Sequence, residues 1–223
     1  MAKQFLCLDS PTDFMVGKYI SADELKQFIN IPCKIKAGVF ILCMEGQIRS
    51  TINMSELTTS KLNVVTLLPN SCIQTHEISP DILIYFIAFS SDFMCYANFI
   101  KSTMGYLPMI YRYPIIRISQ NRANLITNFY ELLYQYAVYP DILNNKEMIK
   151  AIFMMCSQGI VEIYSKTYPL EKQELTRPLQ IYQEFLNMVL RYYTKEHNVS
   201  FYAEKLGLTF SYFSTSIKKA IGE

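Results

Sequence analysis

The apolar residues of this chain change their spacing near residue 120. Between about Cys33 and Ile118 they fall in short runs, Val39 to Met44, Gln47 to Met54, Leu62 to Leu68 and Ile82 to Phe89, rich in β-branched and aromatic side chains. The runs stop at turn chemistry: Glu45-Gly46, Pro69-Asn70-Ser71 and Ser90-Ser91-Asp92. Branched and aromatic side chains suit a pleated surface, and Gly, Pro, Asn, Asp and Ser favour the turn conformations between strands, so the runs read as strands. Glu45-Gly46 predicts a hairpin between the first two. Met109 to Ile118 is a last strand candidate, and its Pro114, which has no ladder donor, suits an edge. Several short strands at this spacing predict a small barrel or sandwich.

Beyond residue 120 the period becomes helical. Leu125, Ile126, Phe129, Leu132, Leu133 and Tyr136 share one helical face, and Ile149, Ile152, Phe153, Cys156, Ile160 and Ile163 share another. Pro140-Asp141 and Asn144-Asn145 supply a turn between them, which predicts two long antiparallel helices. Their wide apolar stripes suit packing on the barrel, or packing together with a homodimer interface, and the second use is the one adopted. Tyr168 to Gln173 is the best boundary. After it, Thr176 can cap and Pro178 opens a helix with Tyr182, Phe185, Leu186, Val189, Leu190 and Tyr193 on one face. The fold class is α+β, divided as 1–118, 119–167 and 175–223.

The last stretch carries the most specific pattern. Ser200 can cap a short helix to Leu206, Gly207 supplies a tight turn, and Thr209 can cap a second helix that stops at Gly222. Ala203 is small where the helices would cross, and Leu206, Leu208, Phe213 and Ile217 are spaced for a shared core. The opposite face then shows Ser211, Ser214, Thr215 and Lys218, with Thr209 where a duplex backbone would pass. Hydroxyls can donate or accept at base edges in a major groove, although a solvated face on an ordinary helical hairpin has the same pattern.

Composition narrows the partners. With 51% hydrophobic residues among 223, the chain can offset the entropy of ordering and build a real core. The 21 Lys plus Arg against 19 Asp plus Glu leave a net charge of +2, no global footprint for nucleic acid, so a DNA-binding signal must be local. Arg191 to Glu223 holds five basic and three acidic residues, a modest electrostatic contribution. Cys7, Cys33, Cys43, Cys72, Cys95 and Cys156 form no CxxC pair and read as reduced, mostly buried thiols of a cytoplasmic protein. No secretory leader and no membrane span are predicted, since the longest apolar run, Ile82 to Phe89, is far below the roughly 20 residues a bilayer needs.

The run from Phe185 through Tyr192-Tyr193, Glu196-His197, Val199 to Thr209 and Ile217-Lys218-Lys219 resembles the first helix-turn-helix of AraC-type transcription regulators, most closely their Bacteroides-like branch. Upstream, Gly38 to Leu42, Glu45-Gly46, Ile52-Asn53, Leu67 to Asn70 and Ile87 to Phe93 are similar to the cupin-type sensor barrel of these bacterial proteins, so the resemblance covers nearly the whole chain. It implies a small-molecule effector in the barrel, a helical dimerisation element, and double-stranded promoter DNA as partner. It places base contacts on Ser211, Ser214 and Thr215 and backbone contacts on Thr209, Tyr212 and Lys218. Two departures stand out. Phe210 replaces a Pro or polar residue and Ser211 a longer polar or basic one, and Glu223 follows directly on the first of the family's two helix-turn-helix units, which suggests a shortened form, the reading adopted, or a natural half-domain.

The chemistry of the barrel reads as non-enzymatic. Two His, His76 and His197, fall short of a cupin metal site, and no phosphate loop, nucleophile elbow or Cys-His signature occurs, so no metal or cofactor is expected. His76 reads as a loop residue at the mouth of a pocket. Phe40, Met44, Tyr85, Phe86 and Phe89 could line such a pocket or simply fill the barrel, with Lys36, Arg49, His76 and Tyr85 as effector-orienting candidates. The function predicted is a dimeric, ligand-sensing, DNA-binding transcription regulator. The alternative is a regulator-like dimeric ligand- or protein-binding module without DNA binding of its own.

Overall fold

A computed structural model describes residues 6–96, 104–137, 139, 145–168, 176–192 and 195–221. The chain forms two compact units, Met1–Phe99 with Tyr113–Gly159, and Ile100–Arg112 with Ile160–Glu223. The strands are β1 Leu6–Leu8, β2 Phe14–Ser21, β3 Pro32–Ile35, β4 Gly38–Glu45, β5 Gln47–Ile52, β6 Ser55–Ser60, β7 Asn63–Leu67, β8 Cys72–Ile78, β9 Leu83–Phe89 and β10 Ile115–Arg117. The helices are α1 Ala22–Leu25, α2 Ser91–Tyr96, α3 Leu107–Arg112, α4 Gln120–Ala137, α5 Lys146–Thr167, α6 Arg177–Tyr192, α7 Val199–Lys205 and α8 Phe210–Ile221.

The first unit is built on two five-stranded sheets, ordered β1-β3-β8-β5-β6 and β10-β7-β4-β9-β2. Neighbours are antiparallel except β1 and β3, which run parallel. Two apolar clusters join the sheets face to face. One gathers Cys33, Ile35 and Ile52 with Val65 and Leu67, and the other Cys43, Ile82 and Ile84 with Ile48 and Ile78. The second sheet is also covered on its other side. Strand alternation sends Val39, Ile41 and Cys43 of β4 toward the first sheet and Phe40 and Leu42 away from it. There the Tyr130 hydroxyl of α4 donates to the Phe40 carbonyl at 2.8 Å, and Phe153 of α5 meets Phe89 edge-on at 4.8 Å. Burial on both faces is why β4, β7 and β9 read as unbroken apolar runs.

Two expectations are corrected. Glu45-Gly46 does not close a hairpin, because β4 pairs with β7 and β9 while β5 pairs with β6 and β8 in the other sheet. Gly46 is instead the corner where the chain changes sheets. Its φ is +74°, and a Cβ there would lie 2.5 Å from Ser79 Oγ and 2.6 Å from the Ile82 backbone. Met109 to Ile118 is not one strand either. Its first part lies in helix α3, with Pro108 tolerated in the first turn, and only Ile115–Arg117 is a strand, at the sheet edge that Pro114 suggested. The Pro114 carbonyl accepts the Thr66 N–H at 2.8 Å.

The strands β1, β2, β3, β6 and β8 were not anticipated. Short or half-exposed, they mix polar with apolar positions, as in Cys72–Ile78, and lack a continuous apolar run. The true hairpin in this region, β5 to β6, turns on Asn53 and Met54, both with positive φ (47° and 69°). Asn tolerates that conformation, whereas a long side chain such as Met is held there at a cost. Met54 is 78% exposed, so it has little packing to lose. Met54→Gly is expected to raise unfolding stability by about 1 kcal/mol in urea titration.

Candidate functional site

In the second unit, α6, α7 and α8 share one core. Ile181, Tyr202, Ala203 and Phe213 are buried, packed by Phe185, Val189, Leu206, Leu208 and Ile217. Phe185 meets both Tyr202 and Phe213 edge-on, at 5.4 and 5.1 Å. Ala203 and the four core positions anticipated from spacing are therefore in that core. The cap of α7 is Asn198, not Ser200. Its side chain accepts the Ser200 N–H at 2.9 Å, so Ser200 serves as donor inside the first turn.

The connection is defined by hydrogen bonds. Gly207 N–H donates to the Glu204 carbonyl and Leu208 N–H to the Ala203 carbonyl, both at 2.9 Å, with Gly207 at φ +66°. This paired pattern closes a helix on a left-handed residue and sets Leu208 against the helix it has just left. Thr209 then caps α8: its hydroxyl accepts the Tyr212 N–H at 3.3 Å and its carbonyl the Phe213 N–H at 2.9 Å. Because Phe213 and Ile217 face the core, Ser211, Thr215 and Lys218 are exposed on the opposite side, with Ser214 half-buried beside them. Thr209 and Tyr212 are exposed as well. Ser211, Thr215 and Lys218 thus share one accessible side of α8, with Tyr212 and Ser214 on its two flanks and Thr209 at its cap. Phe210 is 56% exposed at the head of the same helix.

The four effector candidates of the first unit are not gathered in one place. Lys36 is exposed beyond the end of β3. Arg49 and His76 lie on neighbouring strands of the first sheet, Arg49 paired with Glu56 and Glu77 and His76 Nε2 2.7 Å from Thr51 Oγ1. His76 is therefore a strand residue rather than the loop residue anticipated, held where β8 departs from regular register with β5. Tyr85 is buried on the face of the second sheet covered by α4. Its hydroxyl donates to Glu131 Oε1 at 2.7 Å, Tyr19 donates to the same oxygen at 3.1 Å, and Lys18 Nζ is 3.0 Å from Oε2. Lys18 also sits 4.4 Å above the Tyr134 ring.

This Glu131 cluster ties the edge of the second sheet to α4, and only the fold could disclose it, because Lys18 and Glu131 are more than a hundred residues apart. Tyr85 and Lys18 as donors hold the Glu131 carboxyl below its ordinary range. Burial and the Tyr19 and Glu131 contacts push the Tyr85 phenol up. Desolvation pushes the buried Cys43 thiol up to about 11 and the half-buried Cys156 thiol up to about 12, so both stay protonated at neutral pH. An open cleft of about 400 Å³ lies elsewhere, among the turns that carry Gly46, Lys61, Ser79 and Asp81 and beside Arg117 at the end of β10. Among the described residues, no three His, Cys, Asp or Glu gather as metal ligands, and no helix is long and apolar enough to cross a membrane.

Two outcomes follow from these contacts. Gly207→Ala meets no atom within 4 Å, so its cost is backbone strain alone, about 1 kcal/mol of unfolding stability in denaturant titration. For Glu131 the depressed carboxyl contributes stability above its unfolded pKa, and the contribution is lost as pH falls through the folded value. Glu131→Gln should therefore lower stability at neutral pH and flatten the acid limb of the stability profile, measured by thermal melts across the carboxylate range.

No family model matches this chain, and no curated protein is similar to it in sequence. Several solved structures are similar at low identity. One is ToxT from Vibrio cholerae bound to (E)-4-(8-methylnaphthalen-1-yl)but-3-enoic acid, 12% identical with a TM-score of 0.42, the match covering 95% of this chain and 78% of that one. Wild-type ToxT from Vibrio cholerae bound to an unsaturated fatty acid gives 12% identity and a TM-score of 0.43, over 96% of this chain and 76% of that one. The AraC-like transcriptional activator CuxR gives 11% and 0.41, over 84% of this chain and 61% of that one.

Proposed function

We propose that this protein is a DNA-binding, AraC-type transcription regulator that senses a small molecule through its N-terminal sheets and acts on promoters as a dimer. The observation that carries the reading is α8: a capped helix fixed through Phe213 to a three-helix core, with Ser211, Ser214, Thr215 and Lys218 on its free side and no acidic residue from Leu208 to Ile221. Such a helix can lie in a major groove, with Ser211, Ser214 and Thr215 at base edges and Thr209, Tyr212 and Lys218 on the backbone. The sequence resemblance to the first helix-turn-helix of that family supports the same assignment, and with it a cupin-like character for the paired sheets.

Dimerisation is supported by apolar side chains left on the surface. Leu125, Phe129, Leu132 and Tyr136 recur at alternating intervals of four and three along α4, the spacing of a helix-pairing seam, and Leu125 is 74% exposed and Leu132 49%. Met148, Met154 and Met155 are exposed on α5. The effector would act by population shift, binding two arrangements of the subunits unequally. Glu131 is the contact through which α4 would feel a change at Tyr85, and Lys36, Arg49 and His76 remain proposed effector contacts. The same apolar seam favours one second reading, a dimeric ligand- or protein-binding module that does not touch DNA.

Fluorescence anisotropy with duplexes selected from a randomised pool separates the two. The first reading expects sequence-specific binding that Ser211→Ala with Thr215→Ala weakens by about tenfold while the mass by light scattering is unchanged. Lys218→Ala should weaken all duplexes alike and reduce the salt slope by about 1. A dimer with no sequence-specific binding would leave the second reading standing.

A further inference from the structure

Two opposite charges line the cleft of about 400 Å³ in the first unit. Asp81 lies on the turn that the Ile82 N–H closes onto the Ser79 carbonyl at 3.1 Å, Arg117 is the last residue of β10, and both are exposed. Among the described residues neither side chain has a hydrogen-bond or ion-pair partner, and the two are not paired with each other. The other cation of the cleft is already met, since Lys61 is paired with Glu45. The walls between these groups are fixed by hydrogen bonds. The Gln47 N–H donates to Ser79 Oγ at 2.7 Å, the Ser79 N–H to the Gln47 carbonyl at 2.9 Å, and the Leu62 N–H to the Cys43 carbonyl at 3.0 Å. Gly46 and Leu62, both in the wall, have left-handed backbone at φ +74° and +68°. For Leu62 that conformation is strained, and such strain persists only where the surrounding contacts enforce it. A cleft walled by ordered turns can take a ligand without first ordering them.

We propose that this cleft binds a free α-amino acid, its carboxylate on Arg117 and its ammonium on Asp81. Charge decides the class. The unmatched pair sums to zero, which suits a neutral zwitterion, whereas a phosphate or a simple carboxylate would meet Asp81 as a like charge and a simple amine would meet Arg117 as one. The volume lies at the low end of the about 300–1,000 Å³ of small-molecule sites. The site is also joined to α4. The Leu62 carbonyl accepts the Ile118 N–H at 2.9 Å, and Ser119 then caps α4, its hydroxyl accepting the Arg122 N–H at 3.4 Å. A carboxylate drawn onto Arg117 thus acts just ahead of that cap and biases the seat of the helix assigned above to subunit pairing. This rests on the ligand-sensing part of the preceding reading, and gives the effector a class and a place apart from Lys36, Arg49 and His76.

The test begins with thermal melts of the whole 223-residue chain with each common L-α-amino acid in turn. At least one should raise the melting temperature, while its deaminated acid and its decarboxylated amine, which keep one charge each, do not. For that amino acid, Asp81→Asn and Arg117→Gln should each weaken binding by about tenfold in calorimetric titration, the loss that removing one partner of a charge-assisted hydrogen bond brings. Both side chains are exposed, so the variants should melt like the parent chain when no ligand is present. Anisotropy on duplexes selected from a randomised pool should then show an affinity that changes with the amino acid in the parent and not in the variants. No shift with any amino acid, an equal shift with the deaminated acid, or a shift that both variants retain would overturn the site and leave DNA binding in place. Amino-acid binding with unaltered duplex affinity would uphold the site and overturn its tie to α4. Failure to recover any preferred duplex would remove the DNA reading and leave the amino-acid site standing.

Discussion

Burial of the second sheet on both faces is the constraint from which most of the first unit follows. β4, β7 and β9 lie between another sheet and a layer containing α4 and the start of α5. Neither face can then carry charge, since an unpaired charge taken from water costs several kcal/mol. Strand alternation divides the apolar load. Branched side chains such as Val65, Leu67 and Ile84 fill the space between the sheets, and the large rings Phe40, Tyr85 and Phe89 fill the space under the helices, where Phe14, Phe93 and Phe153 meet them. Phe40, Tyr85 and Phe89, which looked suited to a pocket lining, thus lie on the face that the helices cover, whereas Phe86 alternates to the other face.

Polar chemistry is pushed to the margins by the same constraint. Arg49, Glu56, Glu77, Thr51 and His76 stand on the open face of the first sheet. The exception is Glu131, half-buried at the edge of the second sheet, which is tolerable because two phenols and an ammonium surround it. A carboxylate so fully engaged ties α4 to the edge of the second sheet.

The second unit obeys local rules more closely. α7, its left-handed exit at Gly207 and the Thr209 cap are defined within a dozen residues, and the aromatic pairs of Phe185 fix the helices to one another. Short-range hydrogen bonds and helical spacing decide which side of α8 is free, so Ser211, Thr215 and Lys218 could be anticipated before any tertiary contact was known.

By itself the sequence determined the class of the fold, the doubly buried strands, the long helices α4 and α5, and the α7–α8 unit with its outward residues. All of these depend on interactions within a few turns or on runs of burial that show directly in composition. Only tertiary structure decided which strands share a sheet, that Gly46 turns a corner rather than a hairpin, that α3 belongs with the C-terminal helices, and that Glu131 meets Lys18, Tyr19 and Tyr85. Strand pairing and a half-buried ion pair are set by the packing of distant segments. A turn dipeptide or a lone Glu on a helix carries the same local signal whichever partner it meets.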